Sequence, residues 1–576
     1  MTVPEMNAED ELPPSPQAHA ELRALGLSLG RGPWIATLVL ALALAAVGFQ
    51  WHWVEQVGSA ERDGFVAQAE RILGGELPDD PYRPPLYALL TAGLSWLTGS
   101  PFVAARLLSN LCAALLPLLA FALTLRLLPA GVRGRRLGAW AAWGLVAMHP
   151  GLWTLGQHVA TDAFFATLAA ACLLFTLDFL AAPSPRRAGV VGALYGLAAF
   201  ARGSALFLLP ALAAAALLAP LCRGGRRGVD AGWRQRGLWG LAGLFGAFTV
   251  LLPRWALSYQ AFGNPFHDLN YRNLAWKLYG YPDWSKLETL PYGSLREVVA
   301  EDPGLVVSGA LRELSRFFSE GASALLGTPL HAVVGVGALG LSLLAWRRRP
   351  REAWLASAAL IFLLGISAAF FAWGRFLLLW LPVLAAVVAA HGTRWAEIAG
   401  TERDPRSQAP RWRSALLPWA VAGSIALLVG LLAVKTFAFR LPAFVDSHPY
   451  DEVALLQQLE REHPGVFLAA TTPFLDRYVE GDVTYVPDAF GKEIEQPECW
   501  FYRQLPLLRR NQVSWLVTGA VDLRSRPLTL LEASSPTSWL RPGPVLGEAR
   551  AWRLELPEES ETAPMHCLNA EVASNG

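Results

Sequence analysis

The chain has 576 residues, of which 53% are apolar and only 16% are charged. A soluble domain carries roughly 25% charged residues, so an ordinary soluble fold is excluded, and a net charge of +1 gives no case for nucleic acid as a partner. The five cysteines (Cys112, Cys172, Cys222, Cys499 and Cys567) show neither a CxxC pair nor metal-ligand spacing, although Cys499 and Cys567 could pair outside the cytoplasm.

Residues 1–33 are polar and contain no apolar run; they are expected to be a cytoplasmic N-terminal segment. Residues 34–54 are apolar without a small-residue cleavage site, which predicts an uncleaved first span. A helix needs about 20 apolar residues to cross a bilayer. On that measure further spans are expected at 103–125, 137–150, 160–182, 188–203, 204–221, 237–256, 323–345, 353–373, 376–390 and 414–435, with the pair at 188–221 divided around Arg202. The prediction is an all-α polytopic membrane protein of about eleven transmembrane helices. A small C-terminal extracytoplasmic α/β domain follows them.

Orientation follows from short basic loops, which stay cytoplasmic. Loop 126–136 carries Arg126, Arg133, Arg135 and Arg136, and loop 183–188 carries Arg186 and Arg187. Loop 222–236 carries five arginines, the stretch after span eight carries Arg347, Arg348, Arg349 and Arg351, and loop 391–413 carries Arg394, Arg403, Arg406, Arg411 and Arg413. All five share one side if the N-terminus is cytoplasmic and the span count is odd, as in a multi-pass plasma (inner) membrane protein. The opposite face then receives the acidic loop 55–84, the aromatic-rich loop 257–322 and a tail that holds 20 acids and 12 basic residues over 440–576. In that tail Asp451–His463 reads as a helix with Val453, Leu456 and Leu459 on one face. Strand-like runs at Val466–Thr471, Val483–Val486 and Val513–Thr518 follow, with a helical stretch around Pro506 before the last. The expected domains are a transmembrane unit over 34–438, an extracytoplasmic α/β unit over 439–556 and a disordered Glu/Ser-rich tail over 557–576.

The first outer loop holds two carboxylates two residues apart, Glu61 and Asp63, just beyond the first span. Phe65, Ala69 and Ile72 fall at helical spacing behind them, as in an interfacial helix. Pro84-Pro85 opens a second short helix, because proline at a helix start forfeits no hydrogen bond.

This loop resembles the multi-span glycosyltransferases that use lipid-phosphate sugars, the GT-C superfamily to which protein O-mannosyltransferases and lipid A aminoarabinose transferases belong. Glu61-Arg62-Asp63 fits an ExD form of their first-loop acidic motif, Ala69–Gly75 fits AxxLxxG, and Tyr82–Tyr87 fits Y-[KR]-P-P-L-Y. Ala104–Leu107, Thr161-Asp162, Gly196-Leu197 with Ala201-Arg202, and Gly374–Phe376 with Pro382 follow in the family's order. The sequence departs from the commonest version, in which an Asp stands four residues before the aromatic; here Glu61 stands four before Phe65 and Asp63 two before it. Which carboxylate acts is left open, with Asp63 favoured as the last acid of an ExD. The resemblance implies transfer of a sugar from a polyprenyl-phosphate carrier to a glycan, lipid or protein acceptor.

Such a transfer needs a base for the acceptor hydroxyl and positive charge against the departing phosphate. Asp63 or Glu61 supplies the base, with Asp162 assisting. Arg83 and Arg375 are candidate phosphate clamps, because a guanidinium donates in a bidentate fork. Tyr82, Tyr271, Arg272 and Lys277 are further substrate-binding candidates; the last three belong to an aromatic and polar loop suited to sugar stacking or to an interfacial belt. For Asp162 the bland alternative is a helix cap, and for Arg83 it is snorkelling. His149 and His158 flank Pro150-Gly151 near Asp162, but no further ligand stands at fixed spacing, so no metal and no other cofactor is expected. The rival readings are a transporter or flippase and a non-catalytic assembly protein of envelope glycan synthesis. Charges at the outer rim instead of the midplane disfavour transport.

Overall fold

The computed structural model describes residues 31–51, 64–132, 134–156, 158–219, 233–279, 290–369, 374–401, 411–440, 450–470, 479, 483–486, 505, 507–519, 540–547 and 549–555. Glu61, Asp63, Cys222, Cys499, Cys567, Pro506, the arginines at 223–227 and the tail 557–576 lie outside the described residues.

The chain is mostly helical. The first helix, α1 (Arg31–Trp51), is followed by two short helices, α2 (Phe65–Leu73) and α3 (Leu86–Thr98). Next come α4 (Pro101–Leu127), α5 (Arg135–Ala147), the one-turn α6 (Pro150–Leu155), α7 (Thr161–Ala181) and α8 (Pro185–Ala201). A 3₁₀ segment, Gly203–Leu208, leads into α9 (Leu209–Leu218), and α10 (Trp233–Phe262) follows. The segment expected to be an aromatic loop contains three helices, α11 (Tyr271–Tyr279), α12 (Leu295–Glu301) and α13 (Pro303–Arg316). The bundle ends with α14 (Ala322–Leu326), α15 (Pro329–Leu344), α16 (Pro350–Ala369), the 3₁₀ turn Gly374–Leu377, α17 (Trp380–Thr401), α18 (Arg411–Val434) and a π turn, Lys435–Arg440.

A helix stands at each of the eleven segments expected to span. Among the described residues five of them, at 101–127, 161–181, 233–262, 350–369 and 420–438, are long and apolar enough to cross a membrane by length and composition. Two expectations need correcting. The segment 323–345 is broken at Gly327, which adopts φ +94; a Cβ there would sit 2.6 Å from Leu432. The tenth segment starts later and runs longer, as Trp380–Thr401, because Gly374–Leu377 forms a tight turn first. The division expected around Arg202 stands: Arg202 is extended (φ −159, ψ 134) and closes α8, and the 3₁₀ segment Gly203–Leu208 opens the next stretch.

Several helices begin on a polar residue followed by proline, where the side chain accepts an otherwise orphaned N–H. Ser100 accepts from Val103, Ser184 from Arg187, Asp302 from Leu305 and Thr328 from His331. Helix α7 lies at the centre, with 72% of its most apolar window buried, while α10 is peripheral at 6%. Helix α10 reaches the bundle through glycines: a Cβ on Gly192 of α8 would lie 1.8 Å from the Gly243 carbonyl, and one on Gly246 would lie 2.2 Å from that of Gly189.

The basic loops that the structure describes converge on one end of the bundle. Arg126 pairs with Asp178, Arg187 donates to the Asp178 carbonyl (3.0 Å), and Arg394 donates to the Leu127 carbonyl (2.6 Å). Arg394 also pairs with Glu352, which is buried and lies 3.9 Å from Arg349.

The C-terminal part holds α19 (Tyr450–Glu462) and strands β1 (Leu468–Ala470), β2 (Val483–Tyr485), β3 (Trp515–Thr518), β4 (Leu540–Leu546) and β5 (Ala549–Leu554) in the order β2-β1-β3-β5-β4. Strands β2, β1 and β3 are parallel, while β5 runs antiparallel to β3 with Leu516 opposite Trp552. Leu455, Leu456 and Leu459 of α19 pack on Leu468, Val517 and Ala551. The β4–β5 hairpin was not expected: Pro542 and Pro544 break the strand signal, which is tolerable because β4 is the sheet edge.

Candidate functional site

The end of the bundle opposite the arginine-rich loops gathers the site residues. Helix α7 begins there, and Asp162 lies in its first turn with its side chain fully buried. The carboxylate is not a cap: the N-cap is Ala160, without a side-chain hydrogen bond. Arg202 Nη1 donates to Asp162 Oδ1 at 2.5 Å and Arg375 Nε donates to Oδ2 at 3.1 Å. Arg202 is the C-cap residue of α8 and Arg375 lies in the 3₁₀ turn before α17, so three remote segments meet at one carboxylate. Phe376 stacks beneath both cations, with Arg202 4.6 Å and Arg375 5.4 Å from its ring centroid. The helix dipole adds to the stabilisation of an anion at this position.

The motif loop is tied to the same helix start. Phe65, which opens α2, meets Tyr87 edge-on at 5.1 Å between centroids, and Tyr87 meets Phe164 at 5.8 Å. The buried Tyr87 hydroxyl donates to the Ala105 carbonyl (2.8 Å) and shares a 2.6 Å hydrogen bond with Ser109, whose Oγ reaches the Ala160 carbonyl at 3.3 Å. The aromatic of the acidic motif, the second tyrosine of YRPPLY and the helix carrying Asp162 thus form one packed unit. Gly64 makes the entry to α2 at φ +69, a conformation that favours glycine.

Arg83 lies next to this unit, 6.0 Å from the Phe65 ring centroid. Its backbone N–H and guanidinium both bond Asp80, the latter at 2.9 Å, so the loop turns about that aspartate. Asn270 donates to the Tyr82 carbonyl (2.9 Å), which fastens the first loop to the segment before α11. Tyr82, Tyr271, Trp276 and Tyr279 cluster around Leu274, Leu290 and Tyr292. Arg272 interacts with the hydroxyls of Tyr82 and Tyr271. Lys277 donates to the Ser367 carbonyl (2.6 Å) at the end of α16; burial lowers its pKa to about 8, with Glu313 pulling the other way. Arg254 joins this region, donating to the Ala199 carbonyl (2.7 Å) and standing 3.8 Å from Asp268.

Asp162 and Arg375 are therefore in direct contact, and Tyr82, Tyr271 and Arg272 form a second group with Arg83 and Lys277 at its margins. Arg202 was read in the sequence as a motif match and span break, without a site role. Its charge between two apolar runs is the signal that marks it, since ionisable groups in membrane segments are kept for function. His149 accepts from the Gly151 N–H (3.0 Å), Asp162 is held by arginines, and no group of three potential ligands occurs among the described residues.

Residues 82–230 match the Dolichyl-phosphate-mannose-protein mannosyltransferase family. No curated protein matches the chain in sequence. Among solved structures the chain has the fold of ArnT from Cupriavidus metallidurans bound to undecaprenyl phosphate, with TM-score 0.51 and 14% identity over 93% of this chain and 100% of that one. It also matches the archaeal oligosaccharyltransferase AglB from Archaeoglobus fulgidus, in complex with an inhibitory peptide and a dolichol-phosphate, with TM-score 0.50 and 14% identity over 86% of this chain and 70% of that one. The resemblance to polytopic lipid-phosphate-dependent glycosyltransferases read from the motifs is thus carried by a family match and by shared fold.

Proposed function

We propose that this protein is a membrane glycosyltransferase that moves a sugar from a polyprenyl-phosphate donor to an acceptor on the extracytoplasmic face. The observation that carries the reading is the buried Asp162 with Arg202 and Arg375, packed through Phe164 and Tyr87 onto Phe65, which follows Asp63 by two positions in the sequence. Family and fold comparisons support it: the ArnT and AglB structures contain undecaprenyl phosphate and a dolichol-phosphate.

In the proposed reaction Asp63 or Glu61 removes the proton from an acceptor hydroxyl. That oxygen attacks the anomeric carbon, the carbon–oxygen bond to phosphate breaks, and the lipid phosphate leaves with the electron pair. Arg83, Arg272, Lys277 and Arg375 receive the developing negative charge, and Tyr82 and Tyr271 offer faces to the sugar. Asp162 acts by orienting Arg202 and Arg375. The eleven-span topology, with a cytoplasmic N-terminus and an extracytoplasmic C-terminal domain, is part of this proposal.

The test is sugar transfer by the purified full chain from a panel of polyprenyl-phosphate sugars, with Asp63→Asn and Glu61→Gln beside the wild type. Loss of an acid–base group costs about 10²–10⁴-fold, so at least one variant should fall by 10²-fold or more. Undiminished transfer in both would remove the mechanism.

A further inference from the structure

Helix α13 belongs to the segment read from the sequence as an outer loop, and only one side of it packs on protein. Asp302 caps its start by accepting from the Leu305 N–H (2.8 Å). Gly309 lies close to α11, where a Cβ would stand 3.0 Å from Leu278. Glu313 is buried and acts electrostatically on Lys277, whose ammonium reaches the Ser367 carbonyl. Phe317, just past the helix, is buried against Trp380 at 5.1 Å between ring centroids. Helix α16 is long and apolar enough to cross a membrane, and Ser367 is near its end at Ala369. The Glu313 end of α13 therefore stands at the level of a membrane boundary.

The outward side divides by chemistry. Successive helical residues turn by about 100°, so Val307 and Leu311 fall about 40° apart on the surface. Each is 61% exposed. Ser315, Ser308, Arg312 and Arg316 follow around the helix, at about 80°, 100°, 140° and 180° from Val307, and all four are exposed. Phe318 adds a further exposed ring just beyond the helix. A helix surrounded by water on this side has no reason to sort its exposed residues into an apolar strip beside a strip of serine and arginine. A helix lying in a bilayer surface does: the apolar edge sinks among the chains, and long basic side chains keep their charges at the head groups.

We propose that α13 docks on the bilayer, with Val307 and Leu311 among the acyl chains of the leaflet at the site's end of the bundle and Arg312 and Arg316 at its head groups. Lipid fits this strip better than a second protein does, because the strip is narrow, flanked by charge and set at the end of a spanning helix. Glu301, Asp302 and Glu320 are exposed on the same segment and offset the two arginines. Apolar contact therefore drives the docking, and zwitterionic lipid suffices. The inference rests on the bundle crossing a membrane and not on sugar transfer. It touches the proposed phosphate clamp only through Glu313, which the seated helix holds beside Lys277.

The experiment reads depth. Azidophenylalanine is incorporated into the full chain in place of Val307, Leu311, Arg312 or Arg316, one at a time, and coupled to a nitrobenzoxadiazole dye, with the native cysteines untouched. Each labelled protein is placed as a single copy in phosphatidylcholine nanodiscs. Emission is then quenched from the lipid by doxyl-labelled phosphatidylcholine or from the water by iodide. Doxyl quenching is expected to be at least about twofold stronger at 307 and 311 than at 312 and 316, with iodide giving the opposite order. Iodide quenching of all four alike would place the helix in water and overturn the docking. Protection of 307 and 311 from both quenchers overturns it as well, since protein then covers the strip. Equal doxyl quenching of all four overturns the surface orientation. The unaltered chain supplies a second measurement: a photoactivatable phosphatidylcholine should tag Val307 or Leu311 in preference to Arg312 and Arg316. A chain tagged nowhere in 303–316 overturns the docking whatever the labelled variants show.

Discussion

Asp162 and Arg375 are 213 positions apart in the chain and 3.1 Å apart in space, and the carboxylate they share with Arg202 is fully buried. Removing one member of a buried ion group leaves uncompensated charge and costs about 3–5 kcal/mol. Asp162→Ala is therefore expected to destabilise the purified protein by that order, and Asp162→Ser, a good helix cap, should do no better. Thermal denaturation in detergent measures both. A harmless Asp162→Ser would restore the capping role and dissolve the triad.

With Lys277 in the proposed phosphate clamp, lipid-phosphate binding is expected to depend on pH. Its ordinary pKa of 10.5 is lowered by burial to about 8. The ammonium that attracts phosphate is thus present below pH 8 and is lost as pH rises through that value, while the unburied lysine would keep its charge beyond pH 9. Affinity for a polyprenyl phosphate should fall between about pH 7 and 9. In Lys277→Arg it should stay flat, since guanidinium does not deprotonate in this range. Fluorescence-detected binding across that range checks this, and identical profiles for the two proteins would remove Lys277 from the clamp.

At the opposite end Glu352 holds Arg394 and stands near Arg349 and His391, joining α16, α17 and the loop before α16. Glu352→Ala should cost about 3–5 kcal/mol by the same reasoning. Binding of lipid phosphate by the folded fraction should be unchanged, because none of these contacts involves Arg83, Arg272, Lys277 or Arg375. A selective loss of binding without loss of stability would contradict the assignment of this cluster to the scaffold.

What the sequence revealed was what is local or periodic. Apolar blocks gave the helices of the bundle, and the arginine runs gave an end where Arg126, Asp178, Arg394 and Glu352 now meet. The motif order led to Asp162, Arg375, Tyr82 and Arg83. Long-range pairing was hidden: nothing near Asp162 in the sequence names Arg202 as its partner, and nothing near Lys435 names the Gly327 carbonyl to which it donates. Helices α12 and α13 were masked by the aromatic content of their segment, although Ser294 and Asp302-Pro303 mark their starts. The β4–β5 hairpin was hidden by prolines that only an edge strand accepts.

The glycine contact between α8 and α10 gives a prediction with a control on α10 itself. A Cβ at Gly192 would lie 1.8 Å from the Gly243 carbonyl and 2.9 Å from its Cα, so relief requires the two backbones to separate. Small-residue interfaces of this kind let membrane helices approach closely. Overpacking such a contact costs typically about 1–3 kcal/mol, and Gly192→Ala should lie in that range. Gly240 of α10 has nothing within 4 Å of the place its methyl would take as alanine. Gly240→Ala should instead be neutral or stabilising by up to about 1 kcal/mol, because alanine loses less backbone entropy in a helix. Melting both variants beside the wild type separates steric contact from helix propensity, and a matching response from the two would show that α8 and α10 do not pack through Gly192.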